Sequence, residues 1–140
     1  MARQIVIMGS GETSPTMVTP HQGILQALAE VSGDAVILDT PFGFQENADD
    51  LTQRITEYFA TSVGWPVAPA TLRSRDVSSS TVAQTVAAVR AAKWVFAGPG
   101  SPSYALGVWK DTGLAGHLDA VLEHGTLVLA SAAALTAGTH

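Results

Sequence analysis

Five apolar runs recur along the 140 residues: Ile5-Val6-Ile7-Met8, Ala35-Val36-Ile37-Leu38, a weaker one over 67–72, Trp94-Val95-Phe96-Ala97 and Leu127-Val128-Leu129-Ala130. Runs this short and continuously apolar suit strands covered on both faces, and the helix-length spacers between them are what joins parallel neighbours. With right-handed crossovers, such a chain is expected to form an α/β fold: a doubly wound, open parallel sheet between two helical layers.

The spacers support this. Ile24, Leu25, Leu28 and Val31 are spaced for one helix face. Asn47-Ala48-Asp49-Asp50 reads as a cap and an acidic first turn, opening a helix expected to reach about Ser62. Ser78-Ser79-Ser80 opens another, with Val82, Val86 and Val89 on one face, and helical material follows through Trp109 and again over 114–123. Pro66 and Pro69 weaken the third strand because proline cannot donate to the ladder. No repeat or internal boundary divides the chain, so residues 1–140 are read as part of a single domain.

Composition narrows the function. A net charge of -5 with seven scattered Lys and Arg leaves no basic stripe, so nucleic acid is not an expected partner. The apolar runs are far too short for a membrane span, the N-terminus lacks a signal peptide, and there is no cysteine, so a cytoplasmic location is expected. Without a thiol, any acyl transfer by this chain must use a hydroxyl. No metal site or cofactor is expected.

In doubly wound sheets, ligands bind beyond the carboxyl ends of the strands. Residues 10–14, 40–46, 98–103 and Ser131 fall on that edge. Ser131 follows the last apolar run and precedes Ala132-Ala133-Ala134, a pattern suited to a nucleophile at a sharp strand-to-helix turn, with the Ala132 N–H as an oxyanion donor. The same residues also read as a serine capping a helix. Gly98-Pro99-Gly100-Ser101 follows the fourth strand; Gly100 is the candidate donor there because Pro99 has no N–H, and a plain Gly/Pro turn is the alternative.

Gly9-Ser10-Gly11-Glu12-Thr13-Ser14, with Asp39 ending the second strand, echoes a dinucleotide fingerprint in which the acid holds a ribose, although Ser14 replaces the third glycine. In the loop over 40–46, Phe42 and Phe44 suit a pocket wall or loop anchors, and Gln45 or Glu46 could read a polar group. The histidines do not supply a base. His124 precedes the fifth strand, roughly 13 Å from Ser131 at 3.3 Å per residue. His140 is a similar distance down the following helix at 1.5 Å per residue. His117 is helical, and His21, on the right edge, is expected at the surface.

In order along the chain, Met8-Gly9-Ser10-Gly11-Glu12, Leu38-Asp39-Thr40-Pro41, Ala97-Gly98-Pro99-Gly100-Ser101 and Ala130-Ser131-Ala132-Ala133-Ala134 resemble the type 1 glutamine amidotransferase-like superfamily, most closely its dipeptidase E and cyanophycinase serine peptidases. The resemblance implies a flavodoxin-like sheet, Ser131 as nucleophile, Gly100 and Ala132 as oxyanion donors, Glu12 and Ser101 at the substrate, and peptide or amide bonds as substrates. Pro99 and Ser101 stand where that family has a second glycine and an asparagine, and Ala133 where its elbow has glycine. The family's catalytic histidine and acid follow the elbow. The chain is therefore expected to be the N-terminal part of a longer, class I amidotransferase-like domain, incomplete at its C-terminal side, inactive alone and prone to self-association. A non-catalytic binding module for a small ligand, or a nucleotide-binding domain, are the alternatives.

Overall fold

In the computed structural model, residues 4–8, 17–29, 33–98, 100–121 and 125–130 are described. The strands are β1 (Gln4–Met8), β2 (Asp34–Leu38), β3 (Ala68–Ala70), β4 (Ala92–Ala97) and β5 (Thr126–Ala130), and the helices are α1 (Val18–Ala27), α2 (Ala48–Glu57), α3 (Ser79–Ala91), α4 (Pro102–Thr112) and α5 (Leu114–Val121). The sheet is parallel throughout, in the order β1-β5-β4-β2-β3. This is the doubly wound α/β architecture that the apolar runs imply, and it is flavodoxin-like, as the resemblance implies.

The layers follow from crossover handedness. From β1 to β2 to β3 the chain moves one way across the sheet, and from β3 to β4 to β5 it moves back. Right-handed crossovers in opposite directions must use opposite faces. Accordingly, Leu25, Leu28, Ile55 and Phe59 of the α1 and α2 regions pack with Ile37, Trp94, Phe96 and Val128 on one face. Val89, Val108, Trp109 and Leu118 from α3, α4 and α5 pack with Val36, Val95, Ala97 and Leu129 on the other. Alternate residues of β2, β4 and β5 point to opposite faces, as the strand period requires.

Local sequence explains the ends. Ser78 holds an extended backbone (φ -62°, ψ 155°), and its hydroxyl accepts the Thr81 N–H at 3.2 Å, a working N-cap. Asn47 also precedes a helix, but at φ -91° and ψ 21° it is not extended and its side chain makes no capping bond. The α-helix expected to reach Ser62 ends at Glu57 and continues as a π-helical turn, Tyr58–Val63, that keeps Phe59 and Val63 buried. The third strand shrinks to Ala68–Ala70 and lies at the sheet edge, where Pro69 is tolerated. Among the described residues, no helix is long and apolar enough to cross a membrane.

Candidate functional site

Register aligns the carboxyl ends of four strands. Met8 pairs with Ala130, Ala97 with Leu129, and Leu38 with Ala97, so β1, β5, β4 and β2 run out at one level. The connections leaving β2 and β4 depart in opposite directions, which makes the gap between these strand ends a topological switch point, the usual ligand crevice of such sheets.

Here that crevice is closed by backbone. Directly after β2, Thr40–Phe42 forms a 3₁₀ turn in which Phe42 N–H donates to the Asp39 carbonyl (3.2 Å) and Gly43 N–H to the Thr40 carbonyl (3.0 Å). The Pro41 carbonyl projects toward the loop after β4 and accepts the Ser101 N–H at 2.7 Å. Gly100 adopts φ +128°, and a Cβ there would overlap the Pro41 carbonyl group. Only glycine fits. Gly100 itself is exposed, and among the described residues nothing accepts its N–H. Ser101 caps α4, its Oγ accepting the Tyr104 N–H at 3.2 Å.

Asp39 anchors the turn. Its carboxylate is fully buried; Oδ1 accepts the Leu72 N–H at 2.7 Å and Oδ2 the Arg73 Nε–H at 2.8 Å. Arg73 also reaches Asp49 of α2 at 2.6 Å. Its pKa is raised above the ordinary value, chiefly by the hydrogen bond to Asp39, with burial opposing and Asp49 assisting, so the guanidinium stays charged wherever the protein is folded. The loops after β2 and β3 meet again at Gly43, where a Cβ would lie 2.5 Å from the Arg73 carbonyl oxygen. The Tyr104 hydroxyl, from the start of α4, donates to that same oxygen. The chain after β2, β3 and β4 is thus tied together at Pro41 and Arg73.

Of the sequence candidates, Gly100 and Ser101 lie in this cluster, whereas Glu12, Ser131 and Ala132 lie outside the described residues, as do Pro99, His124 and His140. His21 corrects an expectation. It is 0% exposed rather than on the surface, edge-on to Phe59 at 4.8 Å and to Phe96 at 6.0 Å, because the aromatic residues of the π-helical turn and β4 close over that side of α1. The two phenylalanines of the 40–46 loop divide: Phe42 is core, and Phe44, 54% exposed, lies edge-on to Tyr104 at 5.1 Å. The ribose role weighed for Asp39 is also corrected, since both of its oxygens are engaged within the protein.

Sequence reading missed Arg73 and Tyr104. A carboxylate ending a buried strand signals a partner, because buried charges are rarely left unpaired. Nothing in residue type alone named which arginine it was. Among the described residues, no cluster of three or more His, Cys, Asp or Glu could hold a metal ion. A groove of about 160 Å³, lined by Pro69, Thr71, Gln84 and Thr85 among others, opens between β3 and α3.

No family model and no curated protein matches the chain. Solved structures do. A peptidase from an acI-B1 actinobacterium superposes with a TM-score of 0.77 at 18% identity, covering 92% of this chain and 54% of that one. A protein of Listeria monocytogenes EGD-e, carrying a provisional peptidase E name, superposes with a TM-score of 0.64 at 12% identity, covering 92% of this chain and 58% of that one. The fold is shared with these proteins, and the chain spans little more than half their length.

Proposed function

We propose that the chain carries the nucleophile of a serine hydrolase of the dipeptidase E and cyanophycinase type, within the class I glutamine amidotransferase-like superfamily, acting on peptide or amide bonds. Residues 1–140 would be the N-terminal part of one such domain, a reading supported by the share of the solved peptidase structures that they cover.

One observation carries the proposal. The loop after β4 presents an exposed glycine amide with no described acceptor, beside the end of the strand that leads in sequence to Ser131. In this reading the Ser131 hydroxyl adds to the substrate carbonyl carbon, and the developing oxyanion takes hydrogen bonds from the N–H groups of Gly100 and Ala132. A base takes the Ser131 hydroxyl proton and passes it to the departing amine as collapse breaks the C–N bond, and water then adds to the acyl ester, releasing the acid and restoring the hydroxyl. Neither described histidine suits the base: His21 is enclosed by aromatic rings, and His117 lies on α5, in the helical layer on the opposite face of the sheet from α1. The resemblance implies a base from chain following the elbow. Glu12 and Ser101 would contact the substrate, Ser101 through the hydroxyl proton that its capping role leaves unused.

A fluorophosphonate probe applied to the intact gene product should form an adduct that maps to Ser131 and is lost in Ser131→Ala. Absence of labelling beside a reactive control hydrolase would refute the proposal. Retained ligand affinity in an unlabelled protein would instead identify a binding module. The nucleotide-binding alternative loses support from the engaged carboxylate of Asp39 and from the Gly100–Pro41 contact that fills the switch-point crevice.

A further inference from the structure

We infer that Asp39 and Arg73 are positioning residues for the oxyanion donor: through the Thr40–Phe42 turn they set the Pro41 carbonyl, which captures the Ser101 N–H and leaves the Gly100 N–H as the amide offered to substrate. The catalytic part of this inference rests on the function proposed above. The clamp itself rests on contacts in the structure.

The path is continuous. Asp39 is the residue from which the 3₁₀ turn starts, and its carboxylate is fixed by two donors from the chain after β3, the Leu72 N–H and the Arg73 Nε–H. A turn tied at its first residue, closed by the Phe42 and Gly43 N–H groups and pressed through Gly43 against the Arg73 backbone, has little freedom to rotate its Pro41 carbonyl. That carbonyl makes the 2.7 Å bond to Ser101. Tyr104 connects the same loop back to the Arg73 carbonyl, so Arg73 holds the β4 loop from both sides.

The arrangement decides between adjacent amides. Ser101 N–H cannot serve an oxyanion while bonded to Pro41, and Gly100, at φ +128°, is presented by the same contact. Donors that do not reorganise during reaction are what make an oxyanion hole effective, so loosening the clamp should reduce turnover more than ground-state binding. It also accounts for the closed crevice between β2 and β4: the space that would take a ligand in an open switch point is occupied by the clamp.

Two measurements on the intact gene product test this. In Arg73→Met, which keeps the aliphatic stem of a partly exposed residue, exchange of the Ser101 amide proton followed by NMR should accelerate about tenfold, equivalent to about 1.4 kcal/mol, while the Val95 amide in β4 stays protected. Asp39→Asn, of nearly unchanged shape, should do the same, and Arg54→Met, whose surface pair with Asp50 does not touch the turn, should not. In hydrolysis of a chromogenic amide, kcat in Arg73→Met should fall about tenfold with KM nearly constant, short of the ~100-fold expected for outright loss of a donor. Arg73→Lys should recover part of both effects. Unchanged Ser101 exchange in both variants would overturn the clamp, and faster exchange with unaltered kcat would overturn its positioning role. A wild-type protein that takes no fluorophosphonate would remove the hydrolase reading, while the exchange result would still decide the clamp.

Discussion

The two ends of the sheet each bury a charge and use it differently. At the carboxyl end, Asp39 is fully buried and matched by an arginine and a backbone N–H, and these partners come from the chain that follows another strand. At the amino end, Lys93 is 7% exposed; its Nζ donates to the Leu28 carbonyl at 2.9 Å and lies 5.5 Å from the centre of the Trp65 ring. Among the described residues no carboxylate pairs with it. Lys93 therefore caps the end of α1 and covers an aromatic ring, as a lysine near a helix C-terminus commonly does. The Asp39 contacts fix where one loop stands relative to another; those of Lys93 only satisfy a carbonyl and cover apolar surface. A buried charge that heads one loop thus orders a site when its partners belong to a neighbouring loop, whereas one held within a strand by a carbonyl and a ring contributes little beyond packing.

The sharpest way to break this contrast is Asp39→Ala. The substitution leaves the Leu72 N–H without its acceptor and the Arg73 guanidinium with Asp49 alone. Loss of one partner of a buried pair costs ~3–5 kcal/mol, and because Arg73 is partly exposed the lower end, about 3 kcal/mol, is expected by urea denaturation. A loss under about 1 kcal/mol would mean that the carboxylate is dispensable to the fold, as for an exposed pair. Gly100→Ala comes next. Any side chain there meets the Pro41 carbonyl group at a backbone angle that L-residues rarely adopt, for an expected cost of about 2 kcal/mol. Because the strain falls on the proposed oxyanion loop, the same variant should lose more fluorophosphonate reactivity than stability. Full reactivity in a folded Gly100→Ala protein would separate the loop from the chemistry.

The sheet was legible in the sequence because strands buried on both faces must be apolar at every position, as Ala35 to Leu38 and Trp94 to Ala97 are. Pro66 and Pro69 marked the third strand as weak, and the structure supplies what the residues did not, that this strand lies at the sheet edge. The Gly98-Pro99-Gly100-Ser101 turn was legible too, since glycine after a buried strand signals either an unusual φ or a close approach, and Gly100 shows both. What holds that turn was not. The Asp39–Arg73 pair spans 34 residues of sequence and depends on β3 lying beside β2, which residue types do not encode. His21 was misread for a related reason: its burial depends on Phe59 of the π-helical turn and Phe96 of β4 arriving over α1, a tertiary event without a local signature. Asn47 and Ser78 are equally good capping residues on paper, and only backbone angle separated them.

The smallest expected effect tests the other half of the contrast. Lys93→Met keeps the length and apolar stem that lie against Trp65 and removes the ammonium. One hydrogen bond to the Leu28 carbonyl is lost, a net contribution of about 1 kcal/mol, while the desolvation of a buried charge is relieved. These terms oppose each other, so the urea midpoint should move by the equivalent of less than about 1 kcal/mol in either direction. Ser101 amide exchange should not change, because Lys93 sits at the opposite end of β4 from the clamp. A loss of ~3 kcal/mol, matching Asp39→Ala, would show that Lys93 is held in a network as demanding as that of the aspartate. The ends of the sheet would then differ in the sign of their buried charge and not in what that charge does.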